Sequence, residues 1–157
     1  MSKTAKNLSM SLVKKQDAQK YKERKRVNFD DAKVDVDVVF RPSKRNLVVA
    51  ETLDVLQNAL VENKKMDGAT GIAISTALII KHFTSIETDA EGYDGLLNML
   101  TLLKDGDYLE KITGAFEQDE LEKMFEELNK AIHITKEIIE AETEKAKVEG
   151  EKDADIQ

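Results

Sequence analysis

Residues 71–80 read GIAISTALII and form the most apolar stretch of the chain. Crossing a bilayer takes about 20 apolar residues, so this stretch is too short to span a membrane. It lies in a predicted helix over residues 69–84, whose apolar face is shared by Ile72, Thr76, Ile79 and Phe83 and widened by Ile80. Because this helix is apolar nearly all round, we expect it at the centre of the fold.

Similar spacing predicts four more helices. The first starts near Ser43 or Asn46 and ends near Asn63. The second covers residues 95–104, the third covers residues 108–116, and the fourth runs from Asp119 to about Lys147. The first of them has an apolar face made of Val49, Leu53, Leu56 and Leu60. We therefore predict a mainly α fold, a bundle of four to five helices with a short N-terminal β element and disordered tails.

Residues 33–40 read KVDVDVVF and are the one clear strand signal, because apolar and acidic side chains alternate along them. A single strand leaves its backbone groups unpaired, so this strand needs a partner. Three possibilities remain open from the sequence. Residues 47–50 could pair with the strand through a turn, the same residues could instead be helical, or the partner strand could come from another subunit.

Charge divides the chain into three parts. The net charge is +6 over residues 1–30, −3 over residues 31–104 and −10 over residues 105–157, and the chain as a whole carries −7. We predict a basic flexible arm over residues 1–32, a helical domain over 33–147 and an acidic disordered tail over 148–157. A helix within the arm would have little to bury, so it would stay solvated or form on binding.

The basic arm has three possible roles. It could be a solvated tail, it could contact the acidic C-terminal half of its own or a neighbouring chain, or it could bind phosphates. Only Tyr21 lies in the densest basic run, so base stacking has little support. The overall negative charge also argues against nucleic-acid binding, which we regard as unlikely for this chain.

Catalytic and metal-binding patterns are weak. The chain has no Cys, which removes thiolate ligands and nucleophiles, and its two histidines, His82 and His133, are far apart in sequence. His133 and Glu137 have a spacing that allows two metal ligands on one helix face, and Asp35 and Asp37 pair two carboxylates. We favour a polar surface pair for the first pattern and a solvated strand face for the second. We predict no enzyme activity, no cofactor and no metal site.

Three further segments can be compared with known ligand sites. The acidic loops starting at Asp89 and Asp105 lack the oxygen ligands and the glycine that an EF-hand requires. Residues 68–71, GATG, precede a helix but lack the lysine and the strand of a phosphate-binding loop. We therefore expect neither calcium nor nucleotide at these positions.

The long C-terminal helix is the best candidate for binding another protein. Its apolar positions are spaced by three and four residues and form a narrow stripe among Glu and Lys. We predict that partners contact Leu121, Phe125, Leu128 and Ile132. The alternative is that this stripe only closes the bundle of its own chain.

Residues 33–140 resemble the phage tail assembly chaperones of long-tailed phages of Gram-positive hosts. The resemblance lies in the order of the segments, which are VDVDVVF, LDVLQNAL, GIAISTALIIKHF, SIETDAEGYDG and LLNMLTLLKDGDYLEKI, preceded by a basic arm and followed by an acidic helix. It implies a protein of the host cytoplasm that coats the tape measure protein, which is long, helical and apolar. It also implies self-association along that partner, and no catalytic residues.

Two other functions remain open from the sequence. One is a structural virion subunit of the tail or the head–tail connector, held to its neighbours by the arm and the strand. The other is a nucleic-acid-binding regulator that uses residues 14–26.

Overall fold

The computed structural model describes residues 4–155, with side chains described up to residue 150. It contains six helices and a two-stranded sheet, which confirms the predicted mainly α fold with a short β element. In chain order the elements are α1 (Met10–Lys20), β1 (Arg24–Asn28), β2 (Lys33–Asp37), α2 (Pro42–Val61), α3 (Gly68–Phe83), α4 (Gly92–Asp105), α5 (Leu109–Ala115) and α6 (Gln118–Asp155).

Helix α3 is the central helix, as predicted. The last ten residues of the helix place most of their side chains in the core, namely Ile74, Ala77, Leu78, Ile79, Ile80 and Phe83. Helices α2 and α4 pack on either side of it. The expected role of Ile72 was wrong, because 63% of this residue is exposed where the first turns of α3 run past the core.

Helix α2 faces the core with a different set of side chains from the one that its sequence pattern indicates. The buried residues are Val48, Thr52, Val55 and Ala59, while Leu60 is 53% exposed. The pattern missed this face because Thr52 and Ala59 look weakly apolar in sequence. The buried Thr52 hydroxyl donates a hydrogen bond to the Val48 carbonyl oxygen at 2.7 Å, so it carries no unpaired polar atom into the core.

Strand β2 confirms the alternating pattern, with Val34 and Val36 buried. Its partner is β1, which pairs with it antiparallel so that Arg24 lies opposite Asp37 and Arg26 lies opposite Asp35. Neither residues 47–50 nor a second subunit is needed to pair this edge of the strand. The predicted flexible arm is therefore wrong for residues 24–28, because ion pairs across the strands stabilise a segment with almost no apolar signal.

The second edge of β2 is held by the end of α3. Val36 forms an isolated antiparallel bridge with Thr84, and the Ser85 amide donates to the Asp35 carbonyl oxygen at 2.9 Å. The Asp35 amide donates in turn to the Ser85 hydroxyl oxygen at 2.8 Å. The hairpin is thus fixed to the helical body rather than projecting from it.

Three phenylalanines join the hairpin to the helices. Phe40 stacks on Phe83 with ring centroids 3.9 Å apart and an interplanar angle of 6°. Phe116 meets Phe40 edge-on at 5.5 Å, which brings the start of α6 onto the same cluster. Aromatic pairs of this kind stabilise a fold beyond the burial of their surface area, so this cluster holds the hairpin against the helices.

The two ends of the chain differ in part from the predicted flexible tails. Helix α1 has no buried residue, and the Ser9 side chain caps it by accepting from the Leu12 amide. Helix α6 continues to Asp155, so the predicted break at residue 148 was wrong. Residues 141–149 are mostly good helix formers without proline, and a helix that has already formed extends at little cost. Residues 1–3 and 156–157, which belong to the predicted tails, lie outside the described residues.

Candidate protein-binding groove

An apolar groove of about 550 Å³ runs between α2, α3 and α6. It is long and partly open to solvent, and it forms because α6 packs on α2 without closing over the first turns of α3. Clefts of this size with mostly apolar walls are typical of sites that bind a ligand or a peptide segment.

The α2 wall is the apolar face that the sequence predicted. Leu53, Leu56 and Leu60 line the groove, on a face about 100° around α2 from its core residues. Helix α2 therefore has two apolar faces, of which one is buried against the body and the other borders the groove. An apolar surface left open to water in this way is a common mark of an interaction site.

The α3 wall is made of small residues. Gly68, Gly71 and Ser75 line the groove, and a Cβ atom added at either glycine would meet no other atom within 4 Å. The glycines are therefore not required by close packing within the chain. Ile72 also borders the groove, and its exposure follows from the missing cover on this part of α3.

The α6 wall includes three of the four predicted partner-contacting residues. Phe125, Leu128 and Ile132 line the groove, and Ile139 extends the same wall. Leu128 is only 1% exposed, so its side chain also belongs to the core, whereas Phe125 and Ile132 are half-buried. Leu121 is half-buried against the core cluster and does not line the groove.

The end of the groove near the start of α3 has a charged rim formed by Asp67, Lys136 and Glu140. Asp67 caps α3, accepting from the Thr70 amide at 2.8 Å and from the Thr70 hydroxyl at 2.7 Å. These two hydrogen bonds, helped by the nearby Lys65, lower the pKa of Asp67 from 3.8 to about 2. Since this carboxylate occupies the start of α3, the GATG segment offers no open anion site there.

The basic side chains of β1 are paired within the protein. Arg24 contacts Asp37 at 3.1 Å, Arg26 contacts Asp35 at 3.0 Å, and Lys25 contacts Glu117. The hydrogen bonds from Lys33 and Arg26 lower the pKa of Asp35. Asp35 and Asp37 thus serve as counter-ions for the strand beside them. The Lys25 contact also realises, within one chain, part of the predicted attraction between the basic arm and the acidic half.

The two histidines lie in separate side-chain pairs. His82 Nε2 lies 3.0 Å from Glu51 Oε1, and His133 Nε2 lies 3.2 Å from Glu137 Oε1. Among the described residues, no group of three or more His, Asp or Glu side chains is arranged to hold a metal ion. The groove is the strongest candidate site that this part of the chain presents.

Sequence reasoning found one wall of the groove as a binding surface and missed the other two. The signal for the α2 wall was present as a second apolar face, and the signal for the α3 wall was the pair Gly68 and Gly71 in an otherwise apolar helix. Neither signal shows by itself which helix remains uncovered. Which helix remains uncovered depends on how much of α3 is covered by α6.

The fold and the groove define a small helical protein with an apolar cleft suited to a peptide segment. The chain belongs to the YomO family, because the model of that family matches residues 10–155. The family name is of the type given to Bacillus phage proteins, which fits a phage-associated protein. No curated protein and no solved structure matches the chain. Within the described residues, no helix is both long enough and apolar enough to cross a membrane.

Proposed function

We propose that this chain is a non-enzymatic assembly factor that holds an amphipathic helix of another protein in the groove between α2, α3 and α6. The single observation that carries the proposal is the open apolar groove itself. A helix that lays its apolar face into such a groove is a recurrent mode of protein recognition. The leucines of α2 and Phe125 and Ile132 of α6 supply the apolar contact.

The small residues of α3 support a helical occupant. Gly68 and Gly71 have no side chain and Ser75 has a small one, so an occupying helix could approach this part of α3 closely. The α6 wall runs from Phe125 to Ile139, which corresponds to roughly 20 Å of helix at the usual rise per residue. We therefore expect a client segment of about four helical turns with apolar anchors every three or four residues.

The specific role that we propose is that of a tail assembly chaperone in the host cytoplasm, with the tape measure protein as client. Membership of a family with a phage-type name supports a phage context, and the layout of residues 33–140 supports the narrower assignment. A long amphipathic client would be kept from aggregating if its apolar face were covered in the groove. The high charge of the chain, 35% Asp, Glu, Lys and Arg, would keep the complex dispersed.

The test uses a substitution that fills the groove and leaves every packed side chain in place. In Gly71→Leu, the new side chain enters open space on the α3 wall, and we expect the protein to remain folded because leucine favours helices. When the tape measure protein is co-expressed with the chain, wild type should keep it in the supernatant. The Gly71→Leu variant should lose at least about tenfold of that protection, equivalent to ~1.4 kcal/mol of binding.

Gly114→Leu is the matched control, because Gly114 lies on α5, away from the groove, and also has open space around its Cβ position. This control should protect the client as wild type does. A second variant, Phe125→Ala with Ile132→Ala, removes two groove side chains and should also weaken protection. Equal protection by all variants, with unchanged circular dichroism, would refute the groove assignment.

A structural virion subunit is the second candidate function. The observation that favours it is the end of α6, where every side chain from residue 140 to residue 150 is exposed. A projecting helix of this kind is suited to contacts between subunits. Detection of the chain in purified particles at a fixed copy number would support the virion subunit over the chaperone.

A further inference from the structure

The exposed end of α6 has a second apolar surface that is separate from the groove. Ile134 is 48% exposed, Ile138 is 53% exposed and Val148 is 51% exposed. With Ala141 they follow alternating steps of four and three residues, interrupted only by Lys145, and we refer to these four residues as the outer stripe. Such spacing is that of a coiled-coil seam, in which an apolar edge meets another helix.

The outer stripe points to a different side of α6 from the groove wall. Residues 132 and 139 line the groove, while 134 and 138 lie about 100° to 160° away from them around the helix. An occupant of the groove would therefore leave the outer stripe uncovered. The outer stripe is therefore a surface available to a second partner.

Acidic residues flank the outer stripe on both sides. Glu137 and Glu144 lie along one side and Glu142 and Glu149 along the other, at the positions that set pairing in a coiled coil. Two copies of α6 would place these carboxylates against one another, which opposes pairing of α6 with itself. The stripe instead suits a helix that has apolar residues next to lysines.

Helix α1 has that chemistry. It has no buried residue, and Leu8, Leu12 and Val13 form a small apolar surface at its start. Lys14, Lys15 and Lys20 are exposed beside that surface. The apolar surface at the start of α1 spans residues 8–13, roughly 8 Å at the helical rise per residue, so it covers part of the outer stripe, which spans roughly 21 Å from Ile134 to Val148.

Within one chain, α1 lies at the start of α2, whereas most of the outer stripe lies toward the other end of that helix. Arg41, next to the start of α2, holds α1 through Asp17 at 2.6 Å and through the Tyr21 ring at 4.3 Å. Arg45 pairs with Glu127, while Leu60 meets the later part of the α6 wall, so α2 and α6 run in the same direction. Counted from Glu127, Ile134 lies about 10 Å and Val148 about 32 Å further along α6, so the outer stripe begins beside α2 and ends beyond its far end.

We propose that α1 of one molecule docks on the outer stripe of α6 of a second molecule. The contact joins two different surfaces, so each added molecule leaves one α1 and one outer stripe free, and the chains assemble head to tail. Two short helices bury less area than a standard interface, so the association is weak, concentration-dependent and strengthened at low salt.

The test uses charge reversal on each surface in the full chain. The arm variant is Lys14→Glu with Lys15→Glu, and the stripe variant is Glu137→Lys with Glu144→Lys. In sedimentation equilibrium at low salt, wild type should exceed 17.7 kDa increasingly with concentration, and each variant alone should remain monomeric. An equimolar mixture should associate again, because the unchanged arm of one variant fits the unchanged stripe of the other and the two reversed surfaces are also complementary in charge.

Lys104→Glu with Lys123→Glu is the control, since it changes the net charge of the arm variant by the same amount on exposed lysines elsewhere. This control should associate as wild type does. Wild type that is monomeric at every concentration would overturn the proposal. So would an arm variant that associates as wild type does, or a mixture of the two variants that fails to associate while both remain helical. Because no groove residue is changed, protection of a client by either variant tests the proposed function separately.

Discussion

At the scale of single residues, the carboxylates act mainly as partners for the backbone and for neighbouring cations. Asp35 and Asp37 lie opposite Arg26 and Arg24 and neutralise a strand that would otherwise carry adjacent positive charges. Asp67 accepts two hydrogen bonds from Thr70 at the start of α3. These are structural roles, and none of them requires a bound ligand.

The capping role of Asp67 predicts a defined pH dependence. Because folding lowers its pKa from 3.8 to about 2, the ionised cap stabilises the protein above pH 3.8, and this stabilisation is lost as the pH falls toward about 2. In Asp67→Asn, the amide oxygen can still cap α3 but does not titrate. We expect the melting temperature of wild type to exceed that of Asp67→Asn at pH 6 and the two to converge near pH 2.

The measurement is thermal unfolding followed by circular dichroism across this pH range. Asp89→Asn, which removes an exposed carboxylate outside a helix cap, is the matched control and should show a smaller pH-dependent difference. A constant difference between wild type and Asp67→Asn from pH 6 to pH 2 would show that the Asp67 charge does not stabilise α3.

At the scale of elements, α2 and α3 each have more apolar surface than the core uses. Helix α2 buries Val48 and Val55 on one side and leaves Leu60 on the other, and α3 exposes Ile72 near its start. The two glycines of α3 leave a shallow wall between these surfaces. The groove thus forms because α2 and α3 each have more apolar surface than the neighbouring elements cover.

Substitutions should distinguish a glycine inside a helix from a glycine that has a positive φ. In Gly71→Ala, the methyl group meets no other atom and removes backbone entropy from the unfolded chain, so we expect a gain of about 0.5–1 kcal/mol. In Gly92→Ala, the backbone angle φ of +74° disfavours any L residue, so we expect a loss of roughly 1–2 kcal/mol. Urea unfolding midpoints measure both changes.

These two substitutions are controls for each other, because both add one methyl group and both positions have open space for it. A loss of stability in Gly71→Ala would mean that α3 needs the glycine for its own packing. The space at the groove wall would then be closed in solution.

At the scale of the whole molecule, the protein consists of a packed body and a helix, α6, that extends beyond it. The body joins the hairpin, α2 to α5 and the first half of α6 around the phenylalanine cluster. Helix α6 has 38 residues, and its side chains from residue 140 to residue 150 are exposed. An unpacked helix is marginal in water, so this half depends on continuity with the packed half.

Hydrogen exchange should reveal this division at low protein concentration. Amides of residues 141–150 should exchange at least about a hundredfold faster than those of residues 74–83, because only the latter require opening of the core. Exchange measured by mass spectrometry with peptide resolution provides the comparison. Equal protection of both segments in a monomeric sample would contradict the division into body and projecting helix.

Local periodicity determined much of the fold. The spacing of apolar residues predicted α2 to α5 and the start of α6 within a few residues, and alternation predicted β2, because both patterns report how a regular backbone distributes its own side chains. For the site, the same patterns identified the apolar faces of α2 and α6, including Phe125 and Ile132. They did so without showing which face would remain uncovered.

Tertiary structure decided the rest. Strand β1 forms by pairing with β2, where Arg24 and Arg26 meet carboxylates and Val27 packs against the core, and no local pattern in a polar segment reports a partner that lies outside it. The groove exists because α6 packs on α2 without covering the start of α3, which depends on the relative placement of three helices. The sequence by itself therefore determined the elements and their apolar faces. Only the packing of those elements decided which faces are buried and which remain open to solvent.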